Sequence, residues 1–443
     1  MSAAEQELGE KDRRKLRQKI AALPRNTDLS NLGYAPQELK ALREGMQYPQ
    51  LEIETVDNAE TSRLPKNGKE WIVLGIETSC DDTAAAVVCS DGRILGESVA
   101  KQDELNDLYG GVKPGAARDA HAQHIEATIS NALEQAAISV EQLDAVAVTM
   151  GPGLELCLRV GFHAASALAV QHGIPFLSVH HLEAHCLVAN MFRLASRQQE
   201  DPRAVAEDAF QEQAPAIVLL VSGGHCQLIR RDRQGHYEVY GGTVDDSIGE
   251  AFDKVARLLQ LDVAGCGGGP AVERLAAEWA LEGKASSLVF PIPMRKYRNC
   301  NMSYAGLKTA VRLAVEKGSF DKGEIAFAFQ AAAVKHLMER TARAIEWSKS
   351  GAVDSGDHVR ELTVCGGVAS NQQLRSALQD IAQKHALDLV VPPVKYCTDN
   401  GVMIAWAAIE KIERYGLHTL QVDPRGLEVR ARWPLGKYVG PGR

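Results

Sequence analysis

One design occurs twice in this chain, and that repetition constrains the fold more than any other feature. From Trp71 the sequence reads WIVLGIETSCDDTAAAVVCSDGRILGESVA. This is a buried strand ending in a polar turn, a second strand, a turn at Ser90, Asp91 and Gly92, and a third strand. From Ala216 it reads AIVLLVSGGHCQLIRRDRQGHYEVYGG, with the same succession and Gly235 in the later turn. Long helical patterns follow both copies. The repetition predicts an α/β protein with two duplicated lobes facing each other across a cleft. The first lobe is expected over 70–214 and the second over 215–435. A polar N-terminal extension (1–69) precedes them and a tail (436–443) follows.

Bulk properties agree. A chain of 443 residues is long enough for more than one lobe. Its formal charge of -8 excludes a general nucleic-acid sponge but leaves room for a local basic patch. No window reaches the roughly 18 apolar residues of a membrane span. The first 69 residues have no apolar core of a secretory signal, and Glu5, Glu7, Glu10 and Asp12 are out of place in a mitochondrial presequence. They end in a linker-like SRLPKNGKE. The polar insert 195–213 reads as a surface loop. The nine cysteines are scattered from Cys80 to Cys397 with no CxxC pair, which reads as reduced thiols in an intracellular compartment.

Three turns are placed to meet a ligand. In the first copy the turn runs through Glu77, Thr78, Ser79, Cys80, Asp81, Asp82 and Thr83. In the second it is Ser222, Gly223, Gly224 and His225. The third, TVCGGVASN, lies between a strand and a helix starting near Gln372. Backbone N–H groups in such turns can cradle phosphate, Gly allows close approach, and Asn371 can read a sugar or base. Together they predict a nucleotide cleft.

The stretch VHHLEAH points elsewhere. The strand GIPFLSV precedes it, so His180 or His181 opens a helix. His181 and His185 stand four apart on one helical face, a spacing that suits two imidazoles on one metal ion. The best third ligand is Asp399 in KYCTDNGVMIAW, at a strand-to-helix turn. The order H-L-E-A-H is not the zinc-protease H-E-x-x-H. Glu183 is turned well away from the ligand face and supports a neighbour or the core boundary.

GIETSCDDT, TMGPGL, VHHLEAH, LLVSGGHCQL, GEAFDKVARLL, SYAGLKT, GGVASN and CTDNGVMIAW, in that order, resemble the threonylcarbamoyltransferase (TsaD) family from about Trp71 to Leu435. HLEAH, GGHC, DKVARLL, RNCNMSYAGL and MIAW resemble its mitochondrial-type branch. The resemblance implies the two-lobed actin/Hsp70/sugar-kinase (ASKHA) fold. It implies transfer of a threonylcarbamoyl group from threonylcarbamoyl-AMP to N6 of the adenosine 3′-adjacent to the anticodon, in tRNAs reading ANN codons, forming t6A. It maps one divalent metal ion, zinc or iron, onto His181, His185 and Asp399. The adenylate contacts fall on Leu220, Val221, Ser222, Gly223, Gly224, Asp253, Gly269 and Asn371. The acidic pair Asp81 and Asp82 carries the catalytic role, with Asp81 the candidate for orienting or deprotonating the amine. A separate synthase supplies the adenylate, the branch implies a homodimer, and no membrane is involved. Mitochondrial residence is implied, although the acidic N-terminus leaves the cytoplasm open.

Some residues depart from the family pattern. KPGAARDAHAQH has Gly115 where bacterial relatives carry Glu; His121 is read as a packed helix histidine. The loop DVAGCGGGP is longer than usual, which leaves Gly269 open by a residue or two. Ser222 lacks the G-x-S-x-G elbow of a nucleophile and is read as a ligand-binding turn. Two other functions fit the fold: a small-molecule kinase or ATPase, and a non-catalytic tRNA-binding subunit. The His181, His185 and Asp399 set discriminates against the first, and that set with the acidic pair against the second. Arg295, Lys296, Arg298 and Lys308 are the candidate tRNA contacts, because MRKYRNC joins positive charge to an aromatic ring.

Overall fold

The computed structural model describes residues 70–109, 111–200, 214–263, 267–284, 286–351, 358–416, 419–421 and 423–440. All belong to one compact unit, Ala59–Arg443. The extension 1–69 lies outside the described residues.

Two sheets organise the described residues, and their topologies are the same. The first has β1 (Ile72–Glu77), β2 (Thr83–Cys89), β3 (Ile94–Ala100), β4 (Ala145–Gly151) and β5 (Phe176–His180), in the order β3-β2-β1-β4-β5. β1 pairs antiparallel with β2 and parallel with β4. The second has β6 (Ala216–Val221), β7 (Cys226–Arg231), β8 (Tyr237–Gly242), β9 (Glu361–Cys365) and β10 (Asp388–Val390). β6 pairs antiparallel with β7 and parallel with β9, so β8-β7-β6-β9-β10 repeats the first order. The duplicated strand patterns therefore fold as duplicated lobes. Every residue of β2, β4 and β6 is buried. Such unbroken apolar strands need cover on both faces.

Helices supply it. In the first lobe α1 (Asp103–Tyr109), α2 (Pro114–Ala136) and α3 (Glu155–His172) precede α4 (His181–Glu200), which continues β5 with no intervening loop. In the second, α5 (Ile248–Leu258), α6 (Gly268–Leu281), α7 (Ala305–Lys317), α8 (Lys322–Gly351) and α9 (Gln372–His385) surround the sheet. One core lies between β1, β4 and helices α2 and α3, around Ile76, Val148, Ile129 and Phe162. A larger one fills the second lobe around Phe252, Phe329, Leu337 and Val364. The insert 195–213 begins as the end of α4 rather than as a loop, and residues 201–213 lie outside the described ones.

Helix α4 is shared by both sheets. Ala184, Leu187, Val188 and Met191 pack in a core with Val73, Leu177 and Trp406 of the first lobe's side. Leu182 and Cys186, on the opposite face, pack with Val218, Leu220 and Cys365 of the second sheet.

The last part of the chain crosses back. α10 (Gly401–Tyr415) falls within the stretch expected as second lobe, yet it packs on the first sheet. Gly75 and Gly401 permit that approach: a Cβ on Gly75 would lie 2.3 Å from the Ala405 nitrogen, and one on Gly401 2.4 Å from the Ala86 nitrogen. After α10, Gln421 bridges to Phe176, and the Arg430 N–H bonds the Met150 carbonyl at 2.7 Å. β11 (Lys437–Tyr438), in the stretch expected as tail, then pairs parallel with β8 of the second sheet. Strand pairing and helix packing do not respect sequence order, so a linear division could not anticipate this return.

Candidate metal and substrate site

The two histidines that open α4 have different roles. His180 Nδ1 faces the N–H groups of Leu182 (3.2 Å) and Glu183 (3.4 Å), so it caps the first turn, whose amides otherwise lack partners. Its Nε2–H donates to the Trp433 carbonyl at 3.0 Å, and the Trp433 ring lies against it. Burial pushes His180 down to about 4, so it is neutral. His181 and His185 face inward, with ring centroids 4.8 Å apart at 85°. His185 Nε2 lies 3.0 Å from Asp399 Oδ1, and His181 Nε2 lies 3.7 Å from the same oxygen. One ligand atom from each of the three residues lies within 4.8 Å of the others.

Asp399 reaches this place through the turn before α10. Asn400 caps that helix by accepting the Met403 N–H at 2.8 Å. The close packing of α10 on β1 fixes the depth of the turn. The donors suit a divalent ion of zinc or iron type: two imidazoles and one carboxylate converge, and the buried His185 Nδ1 has no hydrogen-bond partner among the described residues.

Glu77 is the site residue that motif reasoning passed over. It is fully buried at the end of β1. Its Oε2 accepts from His181 Nδ1–H at 3.1 Å and from the Thr149 hydroxyl, and its Oε1 accepts the Ser79 N–H. Ser79 Oγ lies 3.2 Å from the same imidazole nitrogen. A carboxylate on Nδ1–H leaves Nε2 of His181 free to ligate and makes it more basic. Burial raises Glu77, but the His181 charge outweighs that and holds it below the ordinary carboxylate range. Burial lowers His181, and Glu77 with Asp399 overcomes it, raising the imidazole to about 9. A signal existed in the sequence: a glutamate closing an otherwise apolar strand must find a partner when buried.

Asp81 and Asp82 follow in the same loop. Asn106 donates to Asp81 Oδ2 at 2.7 Å. Burial and then Asp399 raise Asp81. Burial, then Asp81 and Asp399, push Asp82 up to about 8. The loop thus gathers three carboxyl groups, Glu77, Asp81 and Asp82, in six residues. Its stem is held by His121, whose Nε2–H donates to the Cys80 carbonyl (3.1 Å) while Thr83 Oγ1 lies 2.7 Å from Nδ1. His121 is thus the packed histidine expected.

The second lobe contributes the glycine turns. Leu220 and Val221 have fully buried side chains, so only their backbone can face a ligand. Gly223 and Gly224 are exposed, with open space where a Cβ would stand. The Ser222 hydroxyl accepts the His225 N–H at 3.0 Å, and the Ser247 hydroxyl donates to the Gly223 carbonyl while capping α5. Gly366 (φ 91°) stands against this turn; a Cβ there would lie 2.3 Å from the Val221 carbonyl oxygen. His225 lies close enough to the metal candidates that burial first, then the charges of His181 and His185, lower it to about 4. It was not singled out as a site residue in the sequence.

Asp253 and Gly269 are brought together: the Asp253 carboxylate accepts the N–H groups of Gly268 and Gly269 at the start of α6. Asn371 caps α9, accepting the Leu374 N–H (2.9 Å) and donating to Gln330 Oε1 (2.9 Å). Its side chain holds the third turn in shape. Glu183 leaves the ligand face as expected; burial raises it among Lys411, Glu410, Arg414 and Tyr237. Lys308 does not stand free as an RNA contact, because it pairs with Asp246, which also pairs with Lys254 at 3.1 Å.

Fold and site together define a class: an α/β protein of duplicated lobes, of the actin/Hsp70/sugar-kinase type, with a candidate metal centre on the helix shared by its two sheets. The family model for TsaD, tRNA N6-adenosine threonylcarbamoyltransferase, matches residues 93–406. A relative in Arabidopsis thaliana, "Probable tRNA N6-adenosine threonylcarbamoyltransferase, mitochondrial", is 43% identical over 401 residues, covering 86% of this chain and 78% of the relative. The tRNA N6-adenosine threonylcarbamoyltransferase of Erythrobacter litoralis (strain HTCC2594) is 40% identical over 372 residues, covering 84% of this chain and 98% of the relative. Among solved structures, T. kodakarensis HypF matches with a TM-score of 0.47 at 14% identity, over 78% of this chain and 48% of that one. The chain belongs to the tRNA N6-adenosine threonylcarbamoyltransferase family. No helix among its described residues is long and apolar enough to cross a membrane.

Proposed function

We propose that the protein forms t6A by moving a threonylcarbamoyl group from threonylcarbamoyl-AMP to N6 of the adenosine 3′-adjacent to the anticodon in tRNAs reading ANN codons. The exocyclic amine attacks the carbamoyl carbonyl carbon, the bond to the AMP phosphate oxygen breaks, and AMP leaves with that electron pair. The amine gives up one proton. Asp82 accepts it: burial and the neighbouring Asp81 charge raise its carboxyl and make it a stronger base than an ordinary aspartate. Asp81, tied to Asn106, orients the amine. His181, His185 and Asp399 would hold a zinc or iron ion, which would supply Lewis acidity toward the acyl group. Ser222, Gly223 and Gly224 offer the adenylate backbone and hydroxyl contacts, with Leu220 and Val221 contributing main chain only. Asp253, Gly269 and Asn371 shape the rest of that subsite.

The observation that carries this reading is convergence. The acidic loop of the first lobe and the His225 turn of the second both lie within electrostatic reach of Asp399. A kinase has no use for two histidines there. A separate synthase supplies the labile adenylate, a second copy completes a homodimer, and the working compartment is the mitochondrion, as the Arabidopsis relative's name supports.

The test is reconstitution: purified protein, unmodified ANN-decoding tRNA and threonylcarbamoyl-AMP, with nucleosides analysed by mass spectrometry. A threonylcarbamoyl-adenosine peak that His181→Ala abolishes is the expected result. No peak from folded, metal-loaded protein refutes the reading.

A further inference from the structure

A second feature of the second lobe has no part in the chemistry above. The loop from Pro291 to Tyr304 carries Arg295, Lys296, Tyr297 and Arg298, all exposed, and no acidic residue. Among the described residues these three cations form no ion pair, whereas nearby Lys308 pairs with Asp246 and Lys254 with both Asp246 and Glu250. Tyr297 is 60% exposed. In a chain of net charge -8, an acid-free run of unpaired cations around an exposed aromatic ring favours an anionic partner.

The loop is also held in one shape, at a cost. Arg340, on α8, is 1% exposed, and it is spent on backbone carbonyls. Its Nη1 donates to Tyr297 O and Asn299 O, both at 2.7 Å, and its Nη2 to Met294 O at 2.5 Å. Arg343 repeats two of these bonds, to Asn299 O at 2.8 Å and Tyr297 O at 3.2 Å. Met294 is held at φ 49°, a left-handed conformation a non-glycine residue keeps only when its surroundings impose it. Two guanidinium groups thus hold the backbone of the loop, while its three unpaired cations stand exposed to solvent.

The position of this loop relative to the site is set by short connections. Met302 N–H bonds the Gly242 carbonyl at 3.0 Å, continuing the edge of the second sheet. Asp245 then binds the Ser303 hydroxyl and the Tyr304 N–H (2.8 Å). Two residues on, Ser247 holds the Gly223 carbonyl of the glycine turn. The basic loop is therefore anchored to the element that is to hold the adenylate.

We propose that the loop 294–299 is a docking platform for the tRNA backbone: Arg295, Lys296 and Arg298 contact phosphates, Tyr297 offers a stacking face, and Arg340 and Arg343 keep the platform rigid. It rests on the tRNA-modifying reading of the site. The occupant is RNA rather than an acidic protein segment because an aromatic ring between point charges suits a base between phosphates. Phosphate recognition here is independent of base sequence and positions the substrate.

The experiment compares wild-type protein with R295A/K296A/R298A and with a control that removes three exposed cations elsewhere, K317A/K322A/K384A. Binding of unmodified tRNA is measured by fluorescence anisotropy across a salt series, and KM and kcat for modification are determined in parallel. The loop variant should weaken tRNA binding and raise KM by roughly tenfold or more, with kcat unchanged. Its log–log salt slope should fall by about one for each cation removed. The control should do neither. Arg340→Lys, which keeps the charge but loses the fork, should raise KM by an intermediate factor, and Tyr297→Ala should weaken binding without altering the salt slope. An unchanged slope and KM in the loop variant, or equal effects in the control, overturns the platform while leaving the enzymatic reading intact. Wild-type protein that neither binds nor modifies tRNA overturns both.

Discussion

Replacing Asp82 with Asn should stabilise the metal-free protein in alkaline solution while silencing it. In the fold, burial and the charges of Asp81 and Asp399 hold the Asp82 carboxyl at about 8, against an ordinary value near 4. A raised carboxyl costs nothing below the unfolded value, where it is protonated in both states. The cost grows as pH climbs and is complete above the folded value. At ~1.4 kcal/mol per pH unit, the gap of about four units sets a ceiling of ~6 kcal/mol. Asp82 is partly exposed, so solvent screening cuts this to ~2–3 kcal/mol. The asparagine is uncharged throughout, so it gains that amount relative to wild type above pH 8 and almost nothing at pH 4. Urea unfolding of both proteins, stripped of metal by chelator, at pH 5, 7 and 9 gives the difference directly. Expected is a gain that rises by ~2 kcal/mol between pH 5 and 9, with t6A formation lost at every pH. A gain independent of pH, or a loss of stability at pH 9, would refute the reasoning that carboxylate crowding sets this group.

Three other substitutions or conditions probe the metal centre and its support. Glu77→Gln keeps the shape but removes the charge on His181 Nδ1–H, and metal affinity by competitive chelator titration should fall ~10–100-fold; unchanged affinity would leave Glu77 a purely structural residue. His181, raised to about 9 in the metal-free fold, must lose a proton to ligate, so metal affinity should climb about tenfold per pH unit from 7 toward 9 and then level off. A flat profile over that range would mean that His181 is not a ligand. Gly75→Ala would put a Cβ 2.3 Å from the Ala405 nitrogen, and thermal and urea unfolding should show a loss of ~3 kcal/mol or more, with weaker metal binding because Asp399 lies in the turn that leads into α10; wild-type stability would show that α10 can shift at no cost.

Strand patterns made the two lobes legible. The runs from Trp71 and from Ala216 pass through strand, turn, strand, turn and strand in the same way, and the sheets repeat one order. The pair of histidines was legible from helical spacing, because α4 begins where the apolar strand ends. Asp399 was legible as a turn acid, and its 3.0 Å approach to His185 comes from the fold alone. What could not be read from spacing was long-range pairing. Glu77 meets His181 across more than a hundred residues. Lys308 looked like a free cation, yet Asp246 neutralises it. Asn371 has the chemistry to read a ribose, yet its carboxamide is engaged as a helix cap. In each case local chemistry was visible, and the partner that decides its use arrives only with tertiary structure.

The packing also says which parts of the site must move together. His181 and His185 sit on α4, and Asp399 precedes α10. Those two helices pack against each other over the first sheet, and Glu410 ties them by accepting from Asn190 (3.3 Å) of α4 and Trp406 (2.7 Å) of its own helix. The three candidate ligands therefore form one body with β1 and Glu77. The glycine turns proposed for the adenylate ride on the second sheet, which meets α4 through Leu182, Cys186, Leu220 and Cys365. Any hinge between lobes has to leave that apolar contact intact or expose it to water.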